Sequence, residues 1–433
     1  MPSLAVLTRD LRLQDNPTLE TGADTVVLFV DDPSINALHS SPNRRAYLVE
    51  TLRELANDLS ERGSRLVYRR GPWQSTVLEV AASVGAERID VARDVSGFAQ
   101  ARNRRLASSS DLPVFEHDSI TVVAPDRLAP ASGPFYKVFT PFYRKWSEVP
   151  MREPVPVPRL VTGTAVESDP LPEVSTTGTS PRREPGGRRA AERRLAEWLP
   201  RVGDYGDTRD ALATQGTSQI SAALHFGVLS PVEVVDAAID GAAFVRQVAW
   251  RDFNAQILFH RPDASRHDFV DRSLLWKDDD AAFEAWTSAT TGFPIVDAAM
   301  RQLTETGWMH NRTRMVTASF LTKDLAIDWR RGAAWFMQWL TDGDIANNQL
   351  GWQWVAGTGT DTNPTRIFNP TRQSERFDPD GTYIRRWLPD LADVDTAEIH
   401  DPSPLTRAAT GYPLPIVDHH EAIREFKELR GWG

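Results

Sequence analysis

Apolar positions in the first third of the chain fall in short runs separated by longer amphipathic stretches. Leu4–Leu7, Thr25–Val30, Arg65–Tyr68 and Arg88–Ala92 are short, β-branched and bounded by polar or glycine residues, which predicts buried strands. Between the second and third, Asn43–Arg62 puts Leu48, Leu52, Leu55 and Leu59 on one helical stripe and stops at Gly63. Pro72 opens another helix carrying Val77, Val80 and Val84, closed by Gly85. This alternation predicts a parallel sheet covered on both faces, a Rossmann-like layered domain.

The pattern then breaks. From Val149 to Gly187, prolines recur at 150, 154, 156, 158, 170, 172, 181 and 185 around the hydroxyl run Ser175–Ser180, as in an extended connector. Beyond it a helical period takes over, over Arg188–Leu199, Pro231–Ala238, Phe244–Phe259, Ala281–Ala285, Pro294–Thr306, Thr313–Ile327 and Ala333–Leu340. Strand-like alternation is absent, so an all-α domain is expected. The predicted division is an α/β domain over residues 1–127, a linker over 128–187 and an all-α domain over 188–433.

Composition narrows the chemistry. The 433 residues are 41% hydrophobic and 25% charged, a balance that suits a folded protein of about two domains. With no cysteine, disulfides, thiolate zinc sites, iron–sulfur clusters and thiol nucleophiles are all excluded. The opening MPSLAVLTRD carries no basic-then-apolar leader and no run is long enough to span a bilayer, so a cytoplasmic, membrane-free protein is expected. A formal charge of −10 confines any nucleic-acid site to a local basic patch. Of the 14 tryptophans only Trp73, Trp146 and Trp198 lie in the first 200 residues, so the helical half concentrates large π-faces.

Neither G-x-G-x-x-G after the first strand nor a P-loop string occurs, which removes the usual nucleotide fingerprints. The nine histidines are scattered, and His419–His420 are adjacent rather than one helical turn apart, so metal binding is unsupported. No G-x-S-x-G elbow occurs either. Four clusters remain. Tyr205 and Arg209 precede Gly216-Thr217-Ser218-Gln219-Ile220-Ser221, where hydroxyls and backbone N–H groups can meet a phosphate, or simply cap a helix. Arg246–Phe253 sets Trp250 beside two arginines, fit either to stack on a ring or to pack plainly. Trp308–Met315 puts Asn311 and Met315 on one helical face, although a lone Met or His310 is commonly structural. Asp342–Trp354 packs two carboxylates, two asparagines, two glutamines and two tryptophans into thirteen residues, as a binding segment or a plain loop.

Together these strings resemble the photolyase/cryptochrome flavoproteins, most closely the class I cyclobutane pyrimidine dimer photolyases. Thr8–Pro17 (TRDLRLQDNP) is similar to that family's R-x-D-L-R-x-x-D-N signature; Gly292–Leu303, Gly307–Arg312, Asp342-Gly343-Asp344 and Arg366–Pro370 match its core. The resemblance implies an antenna-carrying α/β domain, a linker, and an all-α domain holding FAD. Carried over residue by residue, it implies that Tyr205 and Thr217–Ser221 hold the FAD phosphates and ribityl chain. Trp250 and Arg251 would line the cavity, Arg314 would pair with Asp342, Asp342 and Asp344 would contact flavin and adenine, and Asn348 would face flavin N5. Trp352, Trp329 and Trp276 would relay an electron inward, since successive indoles allow short hops. Trp250 and Trp354 would clasp a flipped pyrimidine dimer in UV-damaged DNA, Asn311 and Met315 would face it, and Arg209, Arg251, Arg312 and Arg366 would form a basic groove.

The implied activity is light-dependent repair: FAD-mediated electron transfer splits cyclobutane dimers, by a monomer acting as a deoxyribodipyrimidine photo-lyase. The same resemblance leaves a (6-4) photolyase and a cryptochrome-type photoreceptor as alternatives. Three departures stand out. Gln247 replaces the glutamate of cyclobutane-repair enzymes, Gln349 the usual asparagine, and Asn363-Pro364-Thr365 an aromatic pair. At Val95–Gln100, Phe98 and Ala99 stand where folate-type members carry Asn-Glu, which favours a deazaflavin (8-HDF) antenna, with folate, a second flavin or none as alternatives.

Overall fold

The computed structural model describes residues 2–20, 24–38, 41–157, 166–214 and 216–429. By contacts the chain forms two compact units. The first comprises Met1–Gly178, Glu184–Gly203 and Ser218–Pro262; the second comprises Thr179–Arg183, Asp204–Thr217 and Asp263–Gly433.

The first unit contains a five-stranded, all-parallel sheet of order β3-β2-β1-β4-β5, with β1 Ser3–Leu7, β2 Thr25–Asp31, β3 Leu66–Arg70, β4 Arg88–Ala92 and β5 Val114–His117. Every residue of β1 and β2 is buried, as a parallel sheet covered on both faces requires. The helices Pro42–Glu61 and Trp73–Ser83 carry the expected apolar stripes, with Leu52, Leu55 and Leu59 buried on one and Val77 and Val80 on the other. Ser41 caps the first helix ahead of Pro42.

Three of the elements that went unforeseen are instructive. Edge strand β5 is four residues long with Phe115 and Glu116 exposed, too short and too open for a buried-run pattern. Helix Gly97–Ser109 starts from the Ser96 cap. Helix Phe139–Trp146 falls inside the stretch expected as linker; it buries Phe139, Phe142 and Trp146 at helical spacing. The connector's remaining described residues carry no regular element up to Gly187, and 158–165, with Pro158, lie outside the described residues.

The signature string at Thr8–Pro17 is structural. Arg12, fully buried, donates to Asp15 O (2.8 and 3.0 Å), Ser119 O (2.8 Å) and Gly227 O (3.0 Å). Asp15 accepts from Arg152, Ser230 and the Val155 N–H, and Asn16 donates to Asp10 O and Arg12 O. Burial lowers the Arg12 guanidinium to about 10, so it stays charged at neutral pH.

The second unit is helical: Asp280–Thr287, Pro294–Thr306, Asn311–Ser319, Trp329–Trp339, Ile345–Ala356, Pro370–Phe377, Thr382–Trp387, Pro404–Thr410 and His419–Leu429. One apolar core runs through it, built on Trp286, Met300, Leu303, Phe320, Trp329, Phe336, Trp352 and Trp387. The single helix expected over Thr313–Ile327 divides. Asn311–Ser319 passes into a π-turn at Phe320–Asp324, and the chain leaves it at Ala326, whose φ is +54°. Tertiary contacts explain the break: Lys323 is fully buried and its ammonium donates to Ala356 O and Pro364 O at 3.0 and 3.1 Å.

Candidate functional site

The dense polar cluster at 342–354 is a helix, not a loop. Asp344 caps Ile345–Ala356 by accepting from the backbone and side-chain N–H groups of Asn347 at 2.9 and 2.8 Å. From that cap, Asn348 and Trp352 follow at four-residue steps, so three polar or aromatic groups share one face. Asn348 is buried and its Nδ2 donates to Ala333 O (3.1 Å) and to Gln349 Oε1 (3.0 Å). Gln349 Nε2 in turn donates to Ser265 O at 3.0 Å.

Beside this helix, Arg314 donates to Asp342 Oδ2 at 2.8 Å and to Met309 O at 2.8 Å. Asp342 Oδ1 is buried with no hydrogen-bonding partner among the described residues. A buried carboxylate oxygen left bare is costly unless something else supplies a donor. Asn311 and Met315 meet as their spacing predicts, with Nδ2 to Sδ at 3.8 Å, Asn311 exposed and Met315 half-buried. The next residue, Arg312, makes a two-pronged pair with Asp210 (2.9 and 3.3 Å) and lies 4.3 Å over the Phe377 ring. Arg366 sits 5.1 Å over the Trp354 ring and stays well exposed.

His310 is the cap of Asn311–Ser319, its Nδ1 accepting from the Arg312 N–H at 3.1 Å. Burial holds it down at about 4, so it is neutral at physiological pH. Tyr205 is buried and its phenol is pushed up to about 12 by that burial, leaving it a neutral hydroxyl. A side chain at Gly216 would place its Cβ 2.5 Å from Thr208 O, so the approach to Thr217 requires glycine.

The three tryptophans share one core. Trp329 and Trp352 are fully buried within it and Trp276, half-buried, packs against the same core. Gly332, one turn along from Trp329, gives Trp352 its room. Trp329 Nε1 donates to Asp268 at 2.8 Å, and the backbone after Trp276 bridges to Ile327. Sequence reasoning missed Trp286, which stands edge-on to Trp352 with centroids 6.0 Å apart and is wholly buried.

The remaining expected residues lie in the first unit. Ser218 and Ile220 are buried; Gln219 takes φ of +52°, unusual for a residue with a Cβ, and accepts from Arg194 at 3.1 Å. Ser221 Oγ is buried without a partner among the described residues. On helix Ala242–His260, Gln247 is half-buried and Trp250 stacks on Phe139, 3.8 Å between centroids at 9°. Phe139 was missed, although F-x-x-F-Y-x-x-W at 139–146 is a helical apolar stripe. Arg251 donates to Leu224 O (3.2 Å) and to Ile120 O. Its neighbour Asp252 accepts from the Val122 and Val123 N–H groups and from Trp146 Nε1 at 2.9–3.0 Å, while burial raises it to about 6.

In the second unit, a bare buried oxygen on Asp342 beside an asparagine whose amide hydrogens are both used suits a ligand that brings donors. Among the described residues no three His, Asp or Glu groups come together to hold a metal ion.

Residues 3–159 match a family model described as DNA photolyase, and residues 244–430 one described as the FAD binding domain of DNA photolyase. A deoxyribodipyrimidine photo-lyase of Streptomyces griseus is 45% identical over 450 residues, covering 99% of each chain. A class III photolyase from Agrobacterium tumefaciens superposes with a TM-score of 0.91 at 32% identity, covering 99% of this chain and 97% of that one. An archaeal photolyase from Sulfolobus tokodaii, solved with two FAD molecules, does so at 0.87 and 29% identity over the full length of both.

Proposed function

This chain belongs to the photolyase/cryptochrome family as an FAD-binding enzyme of light-dependent DNA repair, and on that footing we propose that it splits cyclobutane pyrimidine dimers in UV-damaged DNA. The observation that carries the lesion choice is the Asn311–Met315 pair on one helical face, where an amide and a thioether sit together. When bound, FAD supplies the light-driven one-electron chemistry.

The residues divide the remaining work. Arg314 holds Asp342 so that its bare Oδ1 accepts from the flavin or ribose; Asp344 orients the helix that carries Asn348. Tyr205, Thr217, Ser218, Gln219, Ile220 and Ser221 take the phosphates and ribityl chain, with Ser221 Oγ still lacking a partner. Trp250 and Arg251 line the cavity, Trp250 with one face already against Phe139. Trp276, Trp329 and Trp352 bring in the electron that reduces FAD. Trp354, Arg366 and Arg209 meet DNA, and Arg312 does so only by sharing or leaving Asp210.

The light-harvesting partner proposed for the α/β domain, residues 1–127, is a deazaflavin (8-HDF) rather than folate, because Phe98, 46% exposed, and Ala99 stand where folate needs polar groups. The protein is read as a cytoplasmic monomer; among the described residues no helix is long and apolar enough to cross a membrane.

The decisive experiment is blue-light irradiation of the reduced holoprotein with UV-damaged DNA. Loss of cyclobutane dimers supports the reading and unchanged dimer content defeats it. A second reading, (6-4) repair or cryptochrome-type signalling, is favoured by Gln247, whose side chain makes no hydrogen bond among the described residues and cannot supply a proton. Gln247→Glu separates them: it raises cyclobutane repair under the first reading and leaves it equal or lower under the second.

A further inference from the structure

Asn348 and Gln349 are held in a chain whose ends fix its direction. Ala333 O and Ser265 O are backbone carbonyls and can only accept, so each must face an amide nitrogen. That sets Gln349 Nε2 towards Ser265 and turns its Oε1 to Asn348. Asn348 Nδ2 then lies between Ala333 O and Gln349 Oε1, at 3.1 and 3.0 Å, and both of its hydrogens are committed. Its Oδ1 accepts no hydrogen bond among the described residues. Hydrogen-bond direction in an amide is ordinarily an assignment from the network; here two carbonyls dictate it.

We infer that Gln349 is a positioning residue: by taking the second amide hydrogen of Asn348, it obliges that asparagine to offer the flavin an acceptor and no donor. The inference rests on the proposed reading, in which Asn348 faces flavin N5. An oxidised flavin has a bare N5, which accepts; a reduced flavin carries N5–H, which donates. A site presenting only Oδ1 therefore favours the reduced flavin. Without Gln349 the Asn348 amide is held only at Ala333 O, so it can swing about that one bond and bring an N–H towards N5, which favours the oxidised form instead.

The test is the FAD midpoint potential of the holoprotein with Gln349→Met, which keeps the length of the side chain and removes both polar atoms. The oxidised form should gain roughly tenfold over the reduced, a fall of about 30 mV for a two-electron couple. Reoxidation in the dark should be correspondingly faster. A potential unchanged or raised, with FAD bound and folding intact, overturns the inference. Should this variant not fold, the wild-type redox-difference infrared spectrum with ¹³C-labelled asparagine decides. An asparagine C=O stretch that moves to lower frequency on reduction supports an N5–H···Oδ1 bond, and one that rises or stays still overturns it. Wild-type protein that binds no FAD defeats the functional reading rather than the role of Gln349.

Discussion

Gly332 and Trp352 approach so closely that a Cβ on Gly332 would lie 2.2 Å from the indole ring and 2.5 Å from Leu321. Neither the buried ring nor the packed leucine has room to retreat. Gly332→Ala should therefore cost about 1–3 kcal/mol of stability as overpacking. It should also slow photoreduction, because Trp352 must tilt. Denaturant unfolding and flavin bleaching under blue light measure the two effects.

In the proposed relay, two indoles are candidates to pass an electron to Trp352. Trp286 is wholly buried, with phenylalanines Phe283 and Phe336 as its other ring neighbours, whereas Trp329 shares its core with the half-exposed Trp276. Only the second route ends near solvent, where a reductant can reach it. Trp329→Phe should abolish photoreduction while chemically reduced protein still repairs; Asp268 keeps its bond to Arg330, so the fold survives. Trp286→Phe should leave photoreduction near the wild-type rate. Laser-flash absorption on both variants checks this.

Arg366 and Arg312 should differ in what they give to DNA. Arg366 is 45% exposed, with an ion pair to Asp361 at 3.5 Å; Arg312 is 17% exposed and doubly held by Asp210. Losing one phosphate contact lowers the slope of log K against log salt by about 0.9. Arg366→Gln should show that change in binding to UV-damaged duplex, and Arg312→Gln a smaller one. Titrations at several salt concentrations report the slopes.

His310 makes stability depend on pH. Its folded value, about 4, lies below the ordinary histidine value, so the unfolded chain binds the extra proton between about pH 6.5 and 4. Its contribution is whole above pH 6.5 and is lost as pH falls towards 4, on the order of 3 kcal/mol. Asp210, Arg312 and Arg314 are the charged groups around it. Asp252 and Asp324, both raised to about 6, act in the opposite sense across pH 4–6, so only a difference isolates the histidine. His310→Asn keeps a capping side chain; the stability gap between wild type and variant should shrink as pH drops from 7 to 4.5 in urea unfolding.

Legibility in the sequence followed locality. Strands β1 to β4 and their helices were readable because burial on both faces leaves continuous apolar runs. The Asn311–Met315 face was readable because four residues make one helical turn. What escaped depended on distant partners. The π-turn at Phe320–Asp324 exists because Lys323 reaches carbonyls 33 and 41 residues away. Helix Phe139–Trp146 was hidden by the proline-rich stretch behind it, and its stack on Trp250 joins residues far apart in sequence. The helix in Asp342–Trp354 was legible after all, since an aspartate cap precedes it. The grip of Gln349 on Asn348 was not, because Ser265 and Ala333 supply its ends.

The buried guanidinium of Arg12 ties together carbonyls at Asp15, Ser119 and Gly227, the last 215 residues away. In a chain without cysteine, such a knot takes the part a disulfide would otherwise play. Unlike a disulfide it has no reducible bond. The first unit is thus cross-linked, from residue 12 to residue 227, by a joint that no thiol, dithionite or stray photoelectron can cut.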